Sequence, residues 1–164
     1  MNAPFGRPGG KKAQIVRLRE RIPPHEIYVE PFAGAGGLLF AKPPSRWEIL
    51  NDTDGQVLNF FRVAKHRPSE LAELFENECV HAGRFYELRD STSPRDEVER
   101  ALRFAYLTWF SFGSRQQHFA SVTPVGLESN SPPTRRSLVE VRALLENVAH
   151  RLARVLIEQR DFVA

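Results

Sequence analysis

One glycine-rich segment, residues 30–37 (Glu-Pro-Phe-Ala-Gly-Ala-Gly-Gly), has residue types that suit the binding of a small ligand. It follows a short β-forming run, and its glycines allow a sharp turn and a close approach of a ligand to the main chain. A helix that starts after Gly36 would direct free N–H groups towards an anionic group such as a carboxylate. The segment lacks both the P-loop Gly-Lys-Ser/Thr and the GxGxxG spacing. On its own it is equally consistent with an incidental loop.

Two acidic residues follow predicted strands, at positions where such a pocket would need them. Asp52 ends the second predicted strand, about twenty positions after the first, where doubly wound proteins place an acid on ribose hydroxyls. The alternative is that Asn51 or Asp52 only caps the helix that starts near Asp54. Asp161 follows the third predicted strand, and taken alone it is as consistent with a loop residue.

The elements that would position these residues alternate at first. Residues 27–29 and 47–50 are predicted strands, and residues 55–65 are a predicted helix. An earlier helix is expected from Ile15 to Ile22, ended by Pro23 and Pro24. Strand, glycine-rich turn, helix, strand, polar stop and helix is the opening of a doubly wound α/β fold.

The middle of the sequence departs from this alternation. Residues 68–112 are predicted to be helical, with breaks near His81 and at Ser93-Pro94, where proline suits a first helical turn. A stripe spaced four, three, four, three in the last of these helices predicts that Trp109 and Phe112 are core residues. Residues 113–136 are predicted to be a loop, followed by a helix over 138–152 and a strand over 155–157. The middle is therefore interpreted as an insertion between the second and third strands.

The bulk composition permits a nucleic-acid partner without requiring one. The 164 residues carry 23 Lys and Arg against 20 Asp and Glu, which gives a net charge of +3. Cys79 is the only cysteine, so a disulfide framework is excluded, and the five histidines lack metal-ligand spacing. Neither a signal peptide nor a long apolar run is present. We expect a cytoplasmic protein of one domain with a sizeable insertion and no metal site.

Four segments, taken in order, resemble the family of DNA adenine-N6 methyltransferases whose target-recognition region lies in the middle of the chain. Residues 7–11 (Arg-Pro-Gly-Gly-Lys) stand where the family has aromatic-x-Gly-Gly-Lys, and residues 30–36 match its Glu/Asp-Pro-Phe-x-Gly-x-Gly turn. Residues 50–52 (Leu-Asn-Asp) match its strand-Asn-Asp segment, and residues 159–162 (Gln-Arg-Asp-Phe) match its Asn/Gln-x-Asp-Phe segment. The exception is Arg7, since a guanidinium can stack like an aromatic ring but is a poor neighbour for a sulfonium.

The resemblance implies a Rossmann-like fold that binds S-adenosylmethionine, with an incomplete sheet and a mostly helical insertion. Residues 1–66 and 137–164 would form the cofactor-binding domain, and residues 67–136 the helical insertion and target-recognition region. The residues that would bind the cofactor are Arg7, Gly10, Lys11, Glu30, Phe32, Gly34, Gly36, Asp52, Asp161 and Phe162. Lys11 would contact the methionine part, Asp52 the ribose, and Asp161 with Phe162 the adenine ring.

Residues 109–119 lie where the family reads DNA. Arginine and glutamine can pair with base edges, so Arg115, Gln116 and Gln117 are expected to contact DNA. Arg135 is expected to meet phosphates, which position a protein without specifying sequence. The implied partner is double-stranded DNA, and the implied reaction is methylation of adenine N6 at a short site.

The chemistry of the family depends on Asp/Asn/Ser-Pro-Pro-aromatic after a fourth strand, which holds a flipped adenine. No such motif follows Asp161, so no catalytic residue is assigned. The chain is expected to be the cofactor-binding portion of an enzyme, needing a missing carboxyl-terminal portion or a complementing chain. Residues 131–134 (Ser-Pro-Pro-Thr) lack the aromatic and a preceding strand, and they are interpreted as a loop. An open sheet edge predicts that the isolated chain is poorly stable or self-associates.

Two other functions remain open at this point. The chain could be a non-catalytic remnant or regulatory fragment that binds DNA or S-adenosylmethionine without turnover. It could also belong to another enzyme class that uses the same turn, such as a nicotinamide-dependent oxidoreductase.

Overall fold

A computed structural model describes residues 1–10, 12–120 and 140–161 of the chain. Three parallel strands form one sheet in the order β1 (Ile27–Glu30), β2 (Trp47–Asn51) and β3 (Val155–Glu158). Each is one residue longer than the strand that the sequence predicts at that place. The prediction of an α/β fold with strands in this order along the chain is therefore confirmed.

Seven α-helices accompany the sheet within the described ranges. They are α1 (Ile15–Arg19), α2 (Gly37–Ala41), α3 (Gly55–His66), α4 (Pro68–Glu76), α5 (Ala82–Asp90), α6 (Glu97–Trp109) and α7 (Val141–Leu152). The predicted helical segment over 68–112 divides into α4, α5 and α6 close to the two predicted breaks. None of the helices in the described residues is long and apolar enough to span a bilayer.

Two helices begin at aspartates that the sequence did not single out as caps. The carboxylate of Asp54 accepts hydrogen bonds from two backbone N–H groups in the first turn of α3. The alternative that Asn51 or Asp52 caps this helix is therefore wrong. Asp96 caps α6 in the same way. As a result Pro94 lies before the helix, not in its first turn as predicted.

The first helix is shorter than predicted. α1 ends at Arg19, and beyond it the N–H groups of Arg21 and Ile22 donate to carbonyls three residues earlier. Such bonds tighten the end of a helix and satisfy its last carbonyls. No residue of α1 is fully buried, so apolar burial contributes little to the stability of this helix.

The core contains an aromatic cluster that reaches back to the start of the chain. Phe5 packs edge-on against Phe60 of α3 and Phe104 of α6, with ring centroids 5.2 Å apart in each pair. The indole Nε1 of Trp109 donates a hydrogen bond to the carbonyl of Pro4 at 3.0 Å. One apolar cluster thus joins helices from both predicted domains. The division into residues 1–66 with 137–164, and 67–136, stays a prediction.

Phe112 is not a core residue, and that prediction is wrong. α6 ends at Trp109, which is buried, whereas Phe112 is 76 % exposed. Gly113 has φ of 60°, outside the helical range, so the helical spacing that placed Trp109 and Phe112 on one stripe stops before Phe112.

The described helices cover only one face of the sheet. Glu48, Leu50 and Val155 point to that face and are buried. The residues that alternate with them on the strands point the other way. Four of these are between 48 % and 62 % exposed: Ile27, Val29, Trp47 and Leu156.

Candidate functional site

The glycine-rich turn lies at the carboxyl end of β1, where ligands bind in open α/β sheets. Gly34 and Gly36 have φ of 50° and 68°, a region that residues with a Cβ enter at a cost. A Cβ on Gly36 would lie 3.0 Å from the ring of Phe40, so this glycine is needed for close packing. A Cβ on Gly34 would have a single neighbour within 4 Å, the Arg7 Cδ at 3.9 Å, so the turn is open above Gly34.

Asp52 connects this turn to the loop after β2. Its Oδ2 accepts the N–H of Gly34 at 2.7 Å, and its Oδ1 accepts the N–H of Asp54 at 2.9 Å. A carboxylate has about four lone-pair positions, so both oxygens can still accept a hydroxyl. The structure therefore brings together the predicted turn and the predicted acid through a direct bond.

Asn51 holds the three strand ends in place, a role that sequence reasoning missed. Its side-chain amide donates to the carbonyls of Pro31 and Arg160, both at 3.0 Å, and its Oδ1 accepts the N–H of Arg160 at 2.8 Å. These bonds join the segments after β1 and β3 to the end of β2. The sequence offers one signal for this role, a polar residue directly after the apolar pair Ile49 and Leu50 at the end of the strand.

The carboxylate of Glu30 accepts a hydrogen bond from one of the N–H groups that the sequence analysis expects to be free for a ligand. Its Oε2 accepts the N–H of Leu39 in α2 at 3.0 Å. The expectation of free N–H groups at the start of this helix is therefore wrong for Leu39. Phe32, in the same turn, is 67 % exposed.

The N-terminal segment folds over this turn. Residues 7–10 make a turn closed by a bond from the N–H of Gly10 to the carbonyl of Arg7 at 2.9 Å. Pro8 followed by Gly9 with φ of 74° is typical of a type II turn. The guanidinium of Arg7 forms an ion pair with Asp54 at 2.8 Å. Lys11, the predicted contact to the methionine part, lies outside the described residues.

The electrostatics of Asp54 follow from these contacts. Burial alone would raise its pKa, but hydrogen bonds from Arg7 and from the first turn of α3 outweigh this and hold the pKa below its ordinary value. The side chain thus stays ionised and keeps Arg7 next to the site. This contact gives Arg7 a structural partner at the position where the resemblance implies an aromatic side chain.

Asp161 follows β3 at the same edge of the sheet, and it is exposed. The preceding segment is fixed by Asn51 and by a bond from the Gln159 amide to the Thr53 carbonyl at 3.4 Å. Phe162, the second predicted adenine contact, lies outside the described residues.

The predicted DNA-reading segment forms a loop closed at its base. Ser111 and Phe119 make an antiparallel bridge, and the N–H of Phe112 donates to the carbonyl of His118 at 3.0 Å. Ser114 and Gln116 have φ of 55° and 61°. Non-glycine residues adopt this region at a cost of roughly 1–3 kcal/mol each, and such strain clusters at functional sites.

The three predicted DNA contacts in this loop differ in their availability. Arg115 and Gln117 are exposed. The Gln116 side chain instead donates to Thr108 Oγ1 at 2.6 Å, and its N–H donates to Ser111 Oγ at 2.9 Å. Arg135 and residues 131–134 lie outside the described residues.

A cavity of about 220 Å³ lies between the N-terminal turn and the loop over residues 111–119. Arg7 and Asp54 line it from the cofactor side, and Thr108, Arg115 and Gln116 line it from the loop side. Of the predicted cofactor residues Arg7 alone lines this space, and of the predicted DNA contacts Arg115 and Gln116 do. Its wall combines charged and hydrogen-bonding side chains with the apolar Pro8 and Phe104, so it can accept a ligand that has both polar and apolar parts.

Comparison with known proteins gives a family match for most of the chain. A model of the D12 class N6 adenine-specific DNA methyltransferase family matches residues 8–115, which contain the N-terminal turn, the glycine-rich turn, Asp52 and the loop as far as Arg115. A type II methyltransferase of Lactococcus lactis subsp. cremoris is 31% identical over 112 residues, which covers 63% of this chain and 39% of that protein.

Two further relatives are DNA adenine methylases. That of Salmonella typhi is 31% identical over 109 residues, and that of Escherichia coli strain K12 is 30% identical over 109 residues; each alignment covers 63% of this chain and 39% of the relative. The chain thus spans about two fifths of the length of these relatives. Because the family match covers well over half of its residues, the chain belongs to the D12 class N6 adenine-specific DNA methyltransferase family.

Proposed function

We propose that this chain is the cofactor-binding portion of an enzyme that transfers a methyl group from S-adenosylmethionine to adenine N6 in double-stranded DNA. The observation that carries the proposal is the bond between Asp52 and Gly34, because it unites an acid and a glycine turn at the carboxyl ends of adjacent parallel strands. Open α/β sheets bind nucleoside-containing ligands at this edge. The family membership makes a methyl donor the expected ligand.

The residues present fit S-adenosylmethionine, which supplies an activated methyl group when bound. Asp52 keeps free lone pairs for two ribose hydroxyls, and the space above Gly34 leaves the main chain accessible. Exposed Asp161 fits a role as acceptor for the adenine amino group. Phe162 and Lys11 complete the proposed set on the adenine and methionine sides. Gly10, Glu30, Phe32 and Gly36 would shape the floor.

The contribution of these residues to catalysis is positioning. They would hold the cofactor beside Arg7, which lines the 220 Å³ cavity together with Arg115 and Gln116 of the loop. DNA bound at the loop would then lie near the cofactor, so that the two reactants meet within one complex. No catalytic residue is assigned within this chain. We propose methyl transfer only for a protein in which further strands complete this three-stranded sheet.

The DNA-contacting part of the proposal rests on the loop over residues 111–119. Exposed Arg115 and Gln117 can approach phosphates or base edges. Phe112 adds an exposed aromatic ring, a type of side chain that can stack on or wedge between bases. Gln116 would need to leave Thr108 before it could read a base. Arg135 is proposed as a phosphate contact from the segment that follows.

Calorimetric titration of the purified chain with S-adenosylmethionine tests the proposal, with NAD as the matched dinucleotide. We expect saturable binding of S-adenosylmethionine and no heat from NAD. The reverse result would show that the site prefers a dinucleotide and would overturn S-adenosylmethionine as the proposed cofactor. Binding of a DNA duplex without binding of S-adenosylmethionine would instead indicate a DNA-binding remnant.

A further inference from the structure

A cavity of about 400 Å³ lies beside the end of α3 and the strand β3. It is apart from the cavity next to Arg7, and the two share no lining residue. Four basic side chains and three others line it, namely Arg62, Lys65, His66, Arg67, Glu97, Leu156 and Ile157. We call this space the α3–β3 cavity.

The sequence places three of these basic residues on one side of α3. Arg62, Lys65 and His66 are spaced at i, i+3 and i+4, so they are neighbours on the helix surface. The apolar side of the helix is a different one, which buries Phe61 and Ala64. Like charges that are neighbours on a helix repel each other, so an anion between them would stabilise the arrangement.

Lys65 is a half-buried cation of this cavity, and β3 fixes its position. Its Nζ donates a hydrogen bond to the backbone carbonyl of Val155 at 2.7 Å. Within the described ranges no carboxylate forms an ion pair with it, and burial lowers the pKa of its ammonium group below the ordinary value. Two of its three N–H groups remain for a ligand. An anion in the cavity would replace the hydration that this ammonium has lost.

The two arginines of the cavity differ in their partners. The guanidinium of Arg67 forms ion pairs with Glu70 and, at 2.9 Å, with Glu97, so it is already neutralised. Arg62 is exposed, and among the described residues no hydrogen bond or ion pair holds its guanidinium. Its five N–H donors are therefore available to a ligand.

The end of the helix explains only part of this charge. Cations in the last turn of a helix are favourable, because the carbonyl end carries a partial negative charge. Lys65 and His66 occupy that turn of α3. Arg62 lies one turn earlier, and the effect of the helix end does not account for the cavity or for its apolar residues.

The donors of the cavity favour a phosphate monoester over a carboxylate. A phosphate monoester carries a charge of about −1.5 to −2 near neutral pH and has three strong acceptor oxygens. Arg62, Lys65 and His66 together offer more N–H donors than the two oxygens of a carboxylate can use. Leu156 and Ile157 add an apolar wall that suits an organic group attached to the phosphate. The volume of about 400 Å³ falls in the range of small-molecule sites, roughly 300–1,000 Å³.

We propose that the α3–β3 cavity binds the phosphate monoester of a small molecule, with the phosphate at Arg62, Lys65 and His66 and the organic group against the apolar wall. The site is separate from the proposed cofactor site. Asp54 borders that site at the start of α3, and the 12 residues of the helix place His66 roughly 18 Å away along its axis. The proposal therefore does not depend on the proposed function.

His66 provides a direct readout in an NMR titration of the purified chain at constant pH, in a buffer without phosphate. The probe is phenyl phosphate, and benzoate and inorganic phosphate are the comparisons. The imidazole Cε1–H signal of His66 is the one that disappears in His66→Gln. We expect this signal to shift saturably with phenyl phosphate, with an affinity at least about tenfold higher than for benzoate and with an intermediate affinity for inorganic phosphate.

A pair of variants assigns the phosphate contact. Arg62→Gln should lower the affinity for phenyl phosphate at least about tenfold, as expected for the loss of hydrogen bonds to a charged group. Arg17→Gln removes another exposed arginine, on α1, and should leave the affinity unchanged. Unchanged affinity in Arg62→Gln would place the bound anion elsewhere and overturn the proposal.

The other outcomes are equally decisive. A His66 signal that does not respond to phenyl phosphate would show that the cavity is not a phosphate site, and equal affinity for benzoate would show that it does not distinguish phosphate from a carboxylate. A short DNA duplex tests the other source of phosphate. A response of His66 to the duplex and not to phenyl phosphate would mean that the cavity contacts a nucleic-acid backbone, and a small-molecule ligand would then be wrong.

Discussion

The carboxylate of Asp52 accepts the backbone N–H of Gly34 at 2.7 Å, and its second oxygen accepts the N–H of Asp54. One side chain therefore sets the distance between the glycine-rich turn and the start of α3. Both segments border the proposed cofactor site, so their relative position decides whether the site is formed before a ligand arrives.

Replacement of Asp52 with alanine is expected to lower the affinity for S-adenosylmethionine by at least tenfold, or about 1.4 kcal/mol, because the ribose acceptor and the turn geometry are lost together. The unfolding free energy should fall by about 1–2 kcal/mol from the loss of two hydrogen bonds. Calorimetric titration and urea denaturation measure the two effects. Glu146→Ala, which removes an exposed acid on α7, is the control. Equal cofactor affinity in both variants would refute the role of Asp52.

Asn51 gives a second prediction, about the scaffold of the site. Asn51→Ala removes three hydrogen bonds to Pro31 and Arg160, and we expect a loss of about 2–4 kcal/mol in unfolding free energy. Asn59→Ala on α3 is the matched control, because its more exposed amide donates to the Glu97 carbonyl. Chemical denaturation would show the difference. A cost for Asn51→Ala no greater than that of the control would mean that these three bonds add no net stability.

The buried ion cluster around Glu48 predicts a pH dependence. Burial alone would raise the pKa of Glu48, but hydrogen bonds from Arg151 and Lys42 outweigh it and hold the pKa below its ordinary value of 4.5. A group with a depressed folded pKa stabilises the fold above its unfolded pKa and loses that contribution as pH falls through the folded value. We expect the contribution of Glu48 to the unfolding free energy to be constant above pH 4.5 and to decline below that pH.

Glu48→Gln tests the same cluster at neutral pH. The substitution leaves the buried Lys42 without its charged partner, and removal of one member of a buried pair costs about 3–5 kcal/mol. Part of the decline in stability below pH 4.5 should disappear in this variant. Thermal unfolding at a series of pH values, with Glu146→Gln as control, gives both quantities. If the stability of Glu48→Gln falls below pH 4.5 as much as that of the unsubstituted chain, other carboxylates cause the loss.

The loop over residues 111–119 leads to a prediction about DNA. Phe112→Ala should weaken duplex binding by about 1–3 kcal/mol, the range for loss of one base-stacking ring, without changing its salt dependence. Arg115→Ala should reduce the slope of log affinity against log salt by about one if the guanidinium meets a phosphate. Fluorescence anisotropy at several salt concentrations measures both. Tyr86→Ala removes another exposed aromatic, on α5, and should have no effect.

The sequence was sufficient for the strands and for the turn, because these depend on local patterns. β-forming runs predicted β1, β2 and β3 to within one residue, and the glycines marked a turn that does need positive φ. The partners of Asn51 were out of reach, since one of them lies 109 residues away and meets it only when β3 pairs with β2. Phe112 was misassigned because periodicity assumes that a helix continues, and α6 stops at Trp109.

The ion pair between Arg7 and Asp54 shows the same limit at the site itself. The sequence shows that Arg7 stands where the family has an aromatic residue. It does not show that the partner of Arg7 is Asp54, which lies at the start of α3. Charge partners across elements are set by the packing of α3 under the N-terminal turn. Sequence reasoning could therefore name the residues of the site more readily than their contacts.

The anchoring of the chain start in the aromatic core has a consequence for biosynthesis. The carbonyl of Pro4 is bonded to Trp109, 105 positions later, and Phe5 packs on Phe104 of the same helix. A growing chain cannot make these contacts until α6 has left the ribosome, so the first strand, turn and helix emerge without their finished core. Completion of this core is thus timed by the exit of α6, and until then the segment around Pro4 and Phe5 stays without its final partners.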